Sequence, residues 1–241
     1  MGRGAIIVGG SSGIGEALAR ELSAAGYEIG LAARRTDRMA QIGERVPTRA
    51  TVATMDLTDV EDAREGFFEL ATAMGSVDLV VISAGVGHSN RDLEWTLERE
   101  TIDVNVRGFV AIATAALEWF EETGGGHLVG ISSVASRFGN PSSPAYNASK
   151  AFVSTFLEGL RYRQADRETT VPITTVEPGF VDTEMAIGED LFWVASPETA
   201  ARQIARAIAR ERTHVYVTRR WRLVAWFISL LPSFLRRRLL T

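Results

Sequence analysis

At 241 residues, with 46% hydrophobic and 23% charged residues, the chain suits one large α/β domain with a sizeable core. It has no cysteine, which excludes disulfides and thiolate metal sites; His88, His127 and His214 are scattered without ligand spacing, so no metal is implied. The net charge of −4 hides a split: from Arg202 onward ten arginines face one acid, Glu211, for +9, leaving −13 on the first 201 residues.

The amino terminus enters an apolar strand, Gly4 to Val8, with no charged lead, so no secretory leader is expected and a cytoplasmic location is. The run Gly9-Gly10-Ser11-Ser12-Gly13-Ile14-Gly15 follows, then a helix with Ile14, Leu18 and Leu22 on one stripe, ended by Gly26. Tyr27 to Ala33 reads as strand, Thr36 as the cap of a second helix, and Ala50 to Met55 as a third strand. Helical period returns at Ala63, Phe67 and Leu70, and Val77 to Ile82 is strand. One long helix is expected from about Leu93 to Glu121, then strand from Leu128 to Ile131 and helix from Pro144 to about Ala165. Val171 to Val176 reads as strand and Pro197 to Ala209 as helix. Such alternation predicts a single doubly wound parallel sheet with helices on both faces, a Rossmann-like α/β domain over residues 1–218. A basic and apolar helical tail follows over 219–241.

Gly9, Gly13 and Gly15 fall where the first strand turns into the first helix. There glycine permits a tight turn and close approach of a pyrophosphate to helix N–H groups. At the end of the second strand an acid would select an unphosphorylated ribose; this chain has Ala33-Arg34-Arg35 instead. A guanidinium suits a 2′-phosphate, so the expected cofactor is NADP(H), held by Arg34 with Ser11 or Arg35 in support. Asp37, the acid nearest, is read as supporting the next helix N-terminus.

Lys150 is the only lysine among 26 basic residues, and it lies four residues after Tyr146, one helical turn away on the same face. Upstream, Ile131-Ser132-Ser133 ends a predicted strand, where ligands gather in open α/β sheets, and Asn105 lies on the long helix before it. In this order the motifs resemble the short-chain dehydrogenase/reductase family, from about Gly4 to Glu198. Gly9-xxx-Gly13-x-Gly15 matches the family's loop, Ser83-Ala84-Gly85 its Asn-Ala-Gly motif, and Pro178-Gly179 with Thr183 its nicotinamide segment. Two positions depart: Val8 stands for the usual threonine and Ser83 for the usual asparagine, both of them bracing positions.

The resemblance implies a catalytic set of Asn105, Ser133, Tyr146 and Lys150. Tyr146 is the general acid in carbonyl reduction and the base in alcohol oxidation. Lys150 lowers its pKa and holds the nicotinamide ribose, Ser133 holds the substrate oxygen, and Asn105 orients a water that joins Lys150 to solvent. Cofactor contacts are implied at Gly9, Ser11, Ser12, Gly13, Ile14 and Gly15 in the loop, and at Arg34 and Arg35 beyond the second strand. Asp56 and Leu57 fall at the adenine, Ala84 and Gly85 beside the ribose, and Pro178, Gly179, Val181 and Thr183 at the nicotinamide. The substrate is a small carbonyl compound or alcohol, and the resemblance implies a homodimer or homotetramer.

Met185, Phe192 and Trp193 are candidates to line an apolar substrate pocket, or equally to pack their segment onto the domain. In the tail, Leu223 to Leu231 is apolar nearly all round if helical, yet too short to cross a bilayer. Its flanking arginines fit a peripheral membrane contact, a partner subunit or packing on its own domain, and fit nucleic acid poorly. The rival to an enzyme is a non-catalytic nucleotide-binding scaffold or sensor tethered through that tail.

Overall fold

The computed structural model describes residues 2–167, 170–184, 193–232, 234–235 and 238. Among these, seven parallel strands form one sheet in the order β3-β2-β1-β4-β5-β6-β7. They are β1 (Arg3–Val8), β2 (Tyr27–Ala33), β3 (Ala50–Thr54), β4 (Leu79–Ile82), β5 (His127–Ile131), β6 (Ile173–Pro178) and β7 (His214–Val217). The expected doubly wound fold is present. Burial on both faces explains the near-continuous Val/Ile/Leu runs of β1 and β4.

The crossovers divide between two layers. Helices α1 (Gly13–Ala24), α2 (Thr36–Gly43) and α7 (Pro197–Ile208) cover one face, with Leu18, Leu22, Met39 and Ile204 packed on Ile7, Ile29, Leu31 and Val81. On the other face α3 (Val60–Met74), α5 (Phe109–Thr123) and α6 (Pro144–Ala165) bring Phe67, Ile112, Phe120 and Leu157 onto Ile6, Val80 and Leu128. Alternate residues of β1 and β4 thus serve opposite cores, as the two-residue period of a strand requires. The chain reverses direction across the sheet between β1 and β4, and the strand ends at Val8 and Ile82 lie in register there. That switch point is where an open sheet leaves a crevice.

Several boundaries differ from the expectations. The predicted helix over 93–121 is α4 (Trp95–Ile102), a π-helical turn (Asp103–Gly108) and α5. The wider turn brings Gly108 so close to Leu57 that a β-carbon there would sit 2.5 Å from Leu57 Cβ. Thr36 is the first residue of α2 rather than its cap, because its hydroxyl bonds Thr54 Oγ1 at 2.7 Å across the end of β3. Strand β6 begins and ends two residues later than predicted, since its pairing with β7 carries it through Pro178 opposite Val217. A final helix, α8 (Trp221–Leu230), follows β7. No helix of the described residues is long and apolar enough to cross a membrane.

Candidate active site

The carboxyl ends of β1, β4, β5 and β6 bring the sequence-selected residues together around one crevice. At β1 the chain turns through Gly9 (φ +87°) and Gly13 (φ +54°), a left-handed backbone that side chains with a β-carbon resist. The turn is also tight: a β-carbon on Gly9 would meet Ala84 N at 2.4 Å, and one on Gly15 would meet Gly9 O at 2.2 Å. Ser12 precedes α1 without a side-chain cap, so the first amides of that helix, Gly13 to Gly15, have no hydroxyl acceptor from it. The two departures from the family pattern are absorbed by backbone: Val8 O accepts from both Ser83 N (2.8 Å) and Ala84 N (2.9 Å).

Arg35, rather than Arg34, lies over the glycine loop. Its guanidinium donates to Ser12 Oγ at 2.6 Å and Ser11 Oγ at 3.3 Å, and a third bond reaches Glu184 Oε2 at 2.9 Å. Arg38 donates to the other oxygen of Glu184 at 2.7 Å. Arg34 is exposed. Glu184 thus spans from the segment after β6 to the end of β2, and these two guanidinia hold its carboxyl below the usual carboxylate range. Close by, a β-carbon on Gly13 would sit 2.9 Å from Thr183 Cγ2, so the glycine loop and the segment after β6 face each other directly. Asp56 accepts from Thr58 N and Oγ1 at 3.0 and 2.9 Å, which closes the turn that leads into Leu57.

The catalytic candidates converge from three elements. Pro144 begins α6, with Glu98 of α4 accepting from Ala145 N at 3.0 Å, and this sets the helix so that Tyr146 and Lys150 share a face. Lys150 is buried; its Nζ donates to Ile131 O at 3.1 Å and lies 5.7 Å from the Tyr146 ring centroid. Burial depresses its pKa to about 8. Ser133 caps the 3-10 turn Val134–Arg137 by accepting from Ala135 N at 3.1 Å.

Two details differ from expectation. Burial pushes the Tyr146 phenol above its ordinary pKa, and among the protein's own groups the one that pulls it back is Ser133, not Lys150. The side chain of Asn105 is fully engaged: its amide donates to Val86 O (2.7 Å) and Ser149 Oγ (3.0 Å), and its oxygen accepts from Val86 N (2.8 Å). It braces the loop after β4 against α6. A β-carbon on Gly85 would lie 3.2 Å from Lys150 Nζ and 3.3 Å from Asn105 Oδ1, so the loop runs directly against the pair.

Residues that sequence reasoning passed over complete the site. Gly87 allows the Tyr146 ring its position, since a β-carbon there would approach Cδ2 to 2.8 Å. The run Ala84-Gly85-Val86-Gly87 carries that signal in its spacing. Glu177, a fully buried acid inside β6, accepts from Arg137 Nη2 (2.9 Å), Ser136 Oγ (3.1 Å) and Ser154 Oγ (2.9 Å). Ser154 Oγ lies 2.8 Å from Ser132 Oγ, and Ser132 Oγ lies 2.8 Å from Lys150 O; with the Ser154 proton on Glu177, the single Ser132 proton is shared between Ser154 Oγ and Lys150 O, so this chain of contacts ends on the backbone of the lysine. His214 Nε2 lies 3.3 Å from Glu177, within ion-pair reach but out of line for a hydrogen bond. Burial works to raise the pKa of Glu177, yet His214, Arg137 and Ser154 outweigh it and hold the carboxyl low. An acid between Val176 and Pro178 was the available signal.

In the segment expected at the nicotinamide, Pro178 O lies 3.5 Å from Ser133 Oγ, and Val181 is buried in a parallel bridge to Ala195. Gly179 is packed face-on by Trp221 of α8: a β-carbon there would meet the indole at 2.1 Å. Trp193 contacts Trp221 edge-on, with ring centroids 6.2 Å apart, which favours packing over pocket lining for this one residue. Met185 and Phe192 lie outside the described residues.

Comparison with known proteins places these features in context. The family model described as short chain dehydrogenase matches residues 3–190. An uncharacterised oxidoreductase of Mycobacterium tuberculosis is 36% identical over 215 residues, 86% of this chain and 84% of that protein. An alcohol dehydrogenase from the archaeon Thermococcus sibiricus, solved with 5-hydroxy-NADP, superposes with a TM-score of 0.79 at 26% identity, covering 89% of this chain and 95% of its own. A Burkholderia phymatum short chain dehydrogenase/reductase in complex with NAD superposes at 0.83 with 19% identity, covering 93% and 92%. At that identity the likeness speaks for the fold.

Proposed function

Since the chain belongs to the short-chain dehydrogenase family of oxidoreductases, we propose that it interconverts a ketone or aldehyde and the corresponding alcohol with NADP(H), using Tyr146 as acid and base. The observation that carries this reading is the pair itself. The one lysine of the chain is buried, with Nζ on Ile131 O, 5.7 Å from the ring of a half-buried tyrosine. Burying an ammonium is costly, and a purely structural role would be met by an apolar side chain.

The crevice fits a dinucleotide. Gly9, Gly13 and Gly15 leave a backbone that a single β-carbon would fill, and the first amides of α1 take no side-chain cap, which suits a pyrophosphate. Arg35 with Ser11 and Ser12 would hold a 2′-phosphate, Lys150 and the Ala84-Gly85 backbone the ribose, and Pro178, Gly179, Val181 and Thr183 the nicotinamide end. When bound, the cofactor supplies or accepts the hydride. The preference for NADP(H) rests on Arg34 and Arg35 and on the absence of an acid at the end of β2. The Thermococcus protein, solved with 5-hydroxy-NADP, lends support by likeness.

In carbonyl reduction Ser133 Oγ donates to the substrate oxygen and Tyr146 Oη gives it the proton that completes the alcohol. The raised phenol pKa keeps that proton in place at neutral pH. For alcohol oxidation the phenolate must form, and Lys150 as an ammonium favours it once the two groups are drawn together around a ribose. Asn105 holds α6 and the β4 loop in register, and any water it orients would be held through its main chain. A scaffold without catalysis would have no use for Ser133, Tyr146 and a buried Lys150 around one crevice, and the enzyme is the favoured reading.

The test is NADPH oxidation against a panel of carbonyl compounds, with Tyr146→Phe as the control. Turnover with NADPH above that with NADH is expected. Tyr146→Phe should bind NADPH with unchanged affinity and lose about 100-fold or more in turnover. A phenylalanine variant of undiminished activity would end the acid–base assignment.

A further inference from the structure

Helix α8 carries two apolar stripes. Trp221, Ala225 and Ile228 are buried against the domain, Trp221 under Gly179 and edge-on to Phe180 at 5.3 Å. At about 100° per residue, Leu223, Phe227 and Leu230 fall on the opposite side of the cylinder. They are 65%, 56% and 61% exposed, and Phe234 beyond the helix is 69% exposed. A helix exposing that much apolar surface outward while its inner face is already packed serves a second environment.

Charge says which environment. Residues 219–241 contain six arginines and no acid. Arg219, Arg220 and Arg222 are exposed at the start of the helix, Arg220 lying 4.9 Å over the Trp193 ring, and Arg238 is exposed beyond its end. The remainder of the chain is acidic overall, so the molecule is strongly polarised. Two copies packed stripe to stripe about a two-fold axis would set arginine clusters against each other in either direction, with no acid in the segment to neutralise them. An anionic lipid surface offers phosphate partners to the arginines and a hydrocarbon boundary to the stripe. The helix is ten residues, about 15 Å, suited to lying in the interface and too short to span it.

We propose that the outer face of α8 docks this enzyme onto an anionic lipid surface. The inner face ties that surface to the active site: Trp221 packs on Gly179, Trp193 closes on Trp221, and α8 rests on the 3-10 turn that begins at Ser133. Docking therefore sets the crevice alongside the bilayer.

The test is co-sedimentation of the full chain with vesicles of equimolar phosphatidylcholine and phosphatidylglycerol, and with phosphatidylcholine alone. Binding is expected to the anionic vesicles, weakened by salt, and weak without phosphatidylglycerol. Phe227→Glu should reduce that binding about tenfold or more while leaving turnover of a small soluble ketone unchanged. Leu223→Glu should do the same and guards against one poorly folded variant. No binding to anionic vesicles, or undiminished binding by both variants, would overturn the proposal. So would a dimer in light scattering that Phe227→Glu dissociates while vesicle binding is absent, since a second copy would then cover the face. Vesicle binding is read without catalysis, so failure of the oxidoreductase reading would show separately, as absent turnover in the unmodified chain.

Discussion

Lys150 shows how one residue can weaken a fold and serve a site. Its pKa of about 8, set by burial, means that the folded protein disfavours the ammonium relative to the unfolded chain. The cost is fully present below about pH 8 and is relieved as pH climbs toward the ordinary lysine range. The gap corresponds to about 3 kcal/mol at neutral pH. Lys150→Met should therefore raise the melting temperature, by roughly 5 °C once the lost bond to Ile131 O is set against it, and should abolish turnover. A lower melting temperature in thermal unfolding would show that the ammonium supports the fold. The same value predicts that carbonyl reduction is steady through neutral pH and declines above about pH 8 as Lys150 loses its charge. Lys150 and Tyr146 were legible from type and spacing alone. Their partners at contact distance, Gly87 and Ile131 O, were not, because they come from the loop after β4 and the end of β5, brought beside α6 only by folding.

At the scale of elements, the ends of β2 and β6 are clasped by Glu184, which holds Arg35 and Arg38 across the glycine loop. The same guanidinium is proposed to receive a 2′-phosphate, so the carboxylate and the phosphate compete for it. Glu184→Gln removes the competing charge and should tighten NADPH binding several-fold, with a smaller effect on NADH. Arg35→Ala should weaken NADPH more than NADH. Fluorescence titration with both cofactors measures this, and a Glu184→Gln variant that binds NADPH more weakly would mean that the clasp organises the site instead. From the sequence Arg34 was the expected phosphate ligand, with Arg35 in support. In the fold it is Arg35 that reaches Ser11 and Ser12, while Arg34 is exposed. Likewise the helical period ran without a break from 93 to 121. The π turn that displaces Asn105 toward Val86 and Ser149 is made by packing against Leu57, which periodicity does not record.

For the whole molecule, pH should act through groups far from the crevice. His127 is buried in β5 with Nε2 2.8 Å from Thr174 Oγ1; that hydroxyl donates its one proton to Arg212 O, so His127 must be the donor and is neutral. Burial lowers its pKa to about 4. The unfolded chain takes up the proton first, at about 6.5, so stability should fall as pH drops from there toward 4, by about 3 kcal/mol in all. Glu177 adds to this at lower pH. Its carboxyl is held low, so its contribution is present above the ordinary carboxylate pKa and is lost as pH falls through the folded value. Denaturant unfolding at pH 7 and pH 4.5 should show the loss, and His127→Gln, which keeps a donor for Thr174, should reduce it. An equal loss in that variant would move the effect elsewhere.

Ser133, Tyr146 and Lys150 were candidates through the family resemblance; by itself the sequence determined the fold class, the glycine turn and the order of the strands and helices along the chain. These depend on local backbone preference, hydrophobic period and side-chain chemistry, all of which are written into short stretches of chain. Tertiary structure alone decided the sheet order, the reach of Arg35 rather than Arg34 to the glycine loop, the clasp by Glu184, the contacts that run from Glu177 to the Lys150 backbone, and the placing of Trp221 against Gly179. Each of these joins residues brought together only when the crossovers pack, and the energy of a buried contact depends on distance in space, not along the chain.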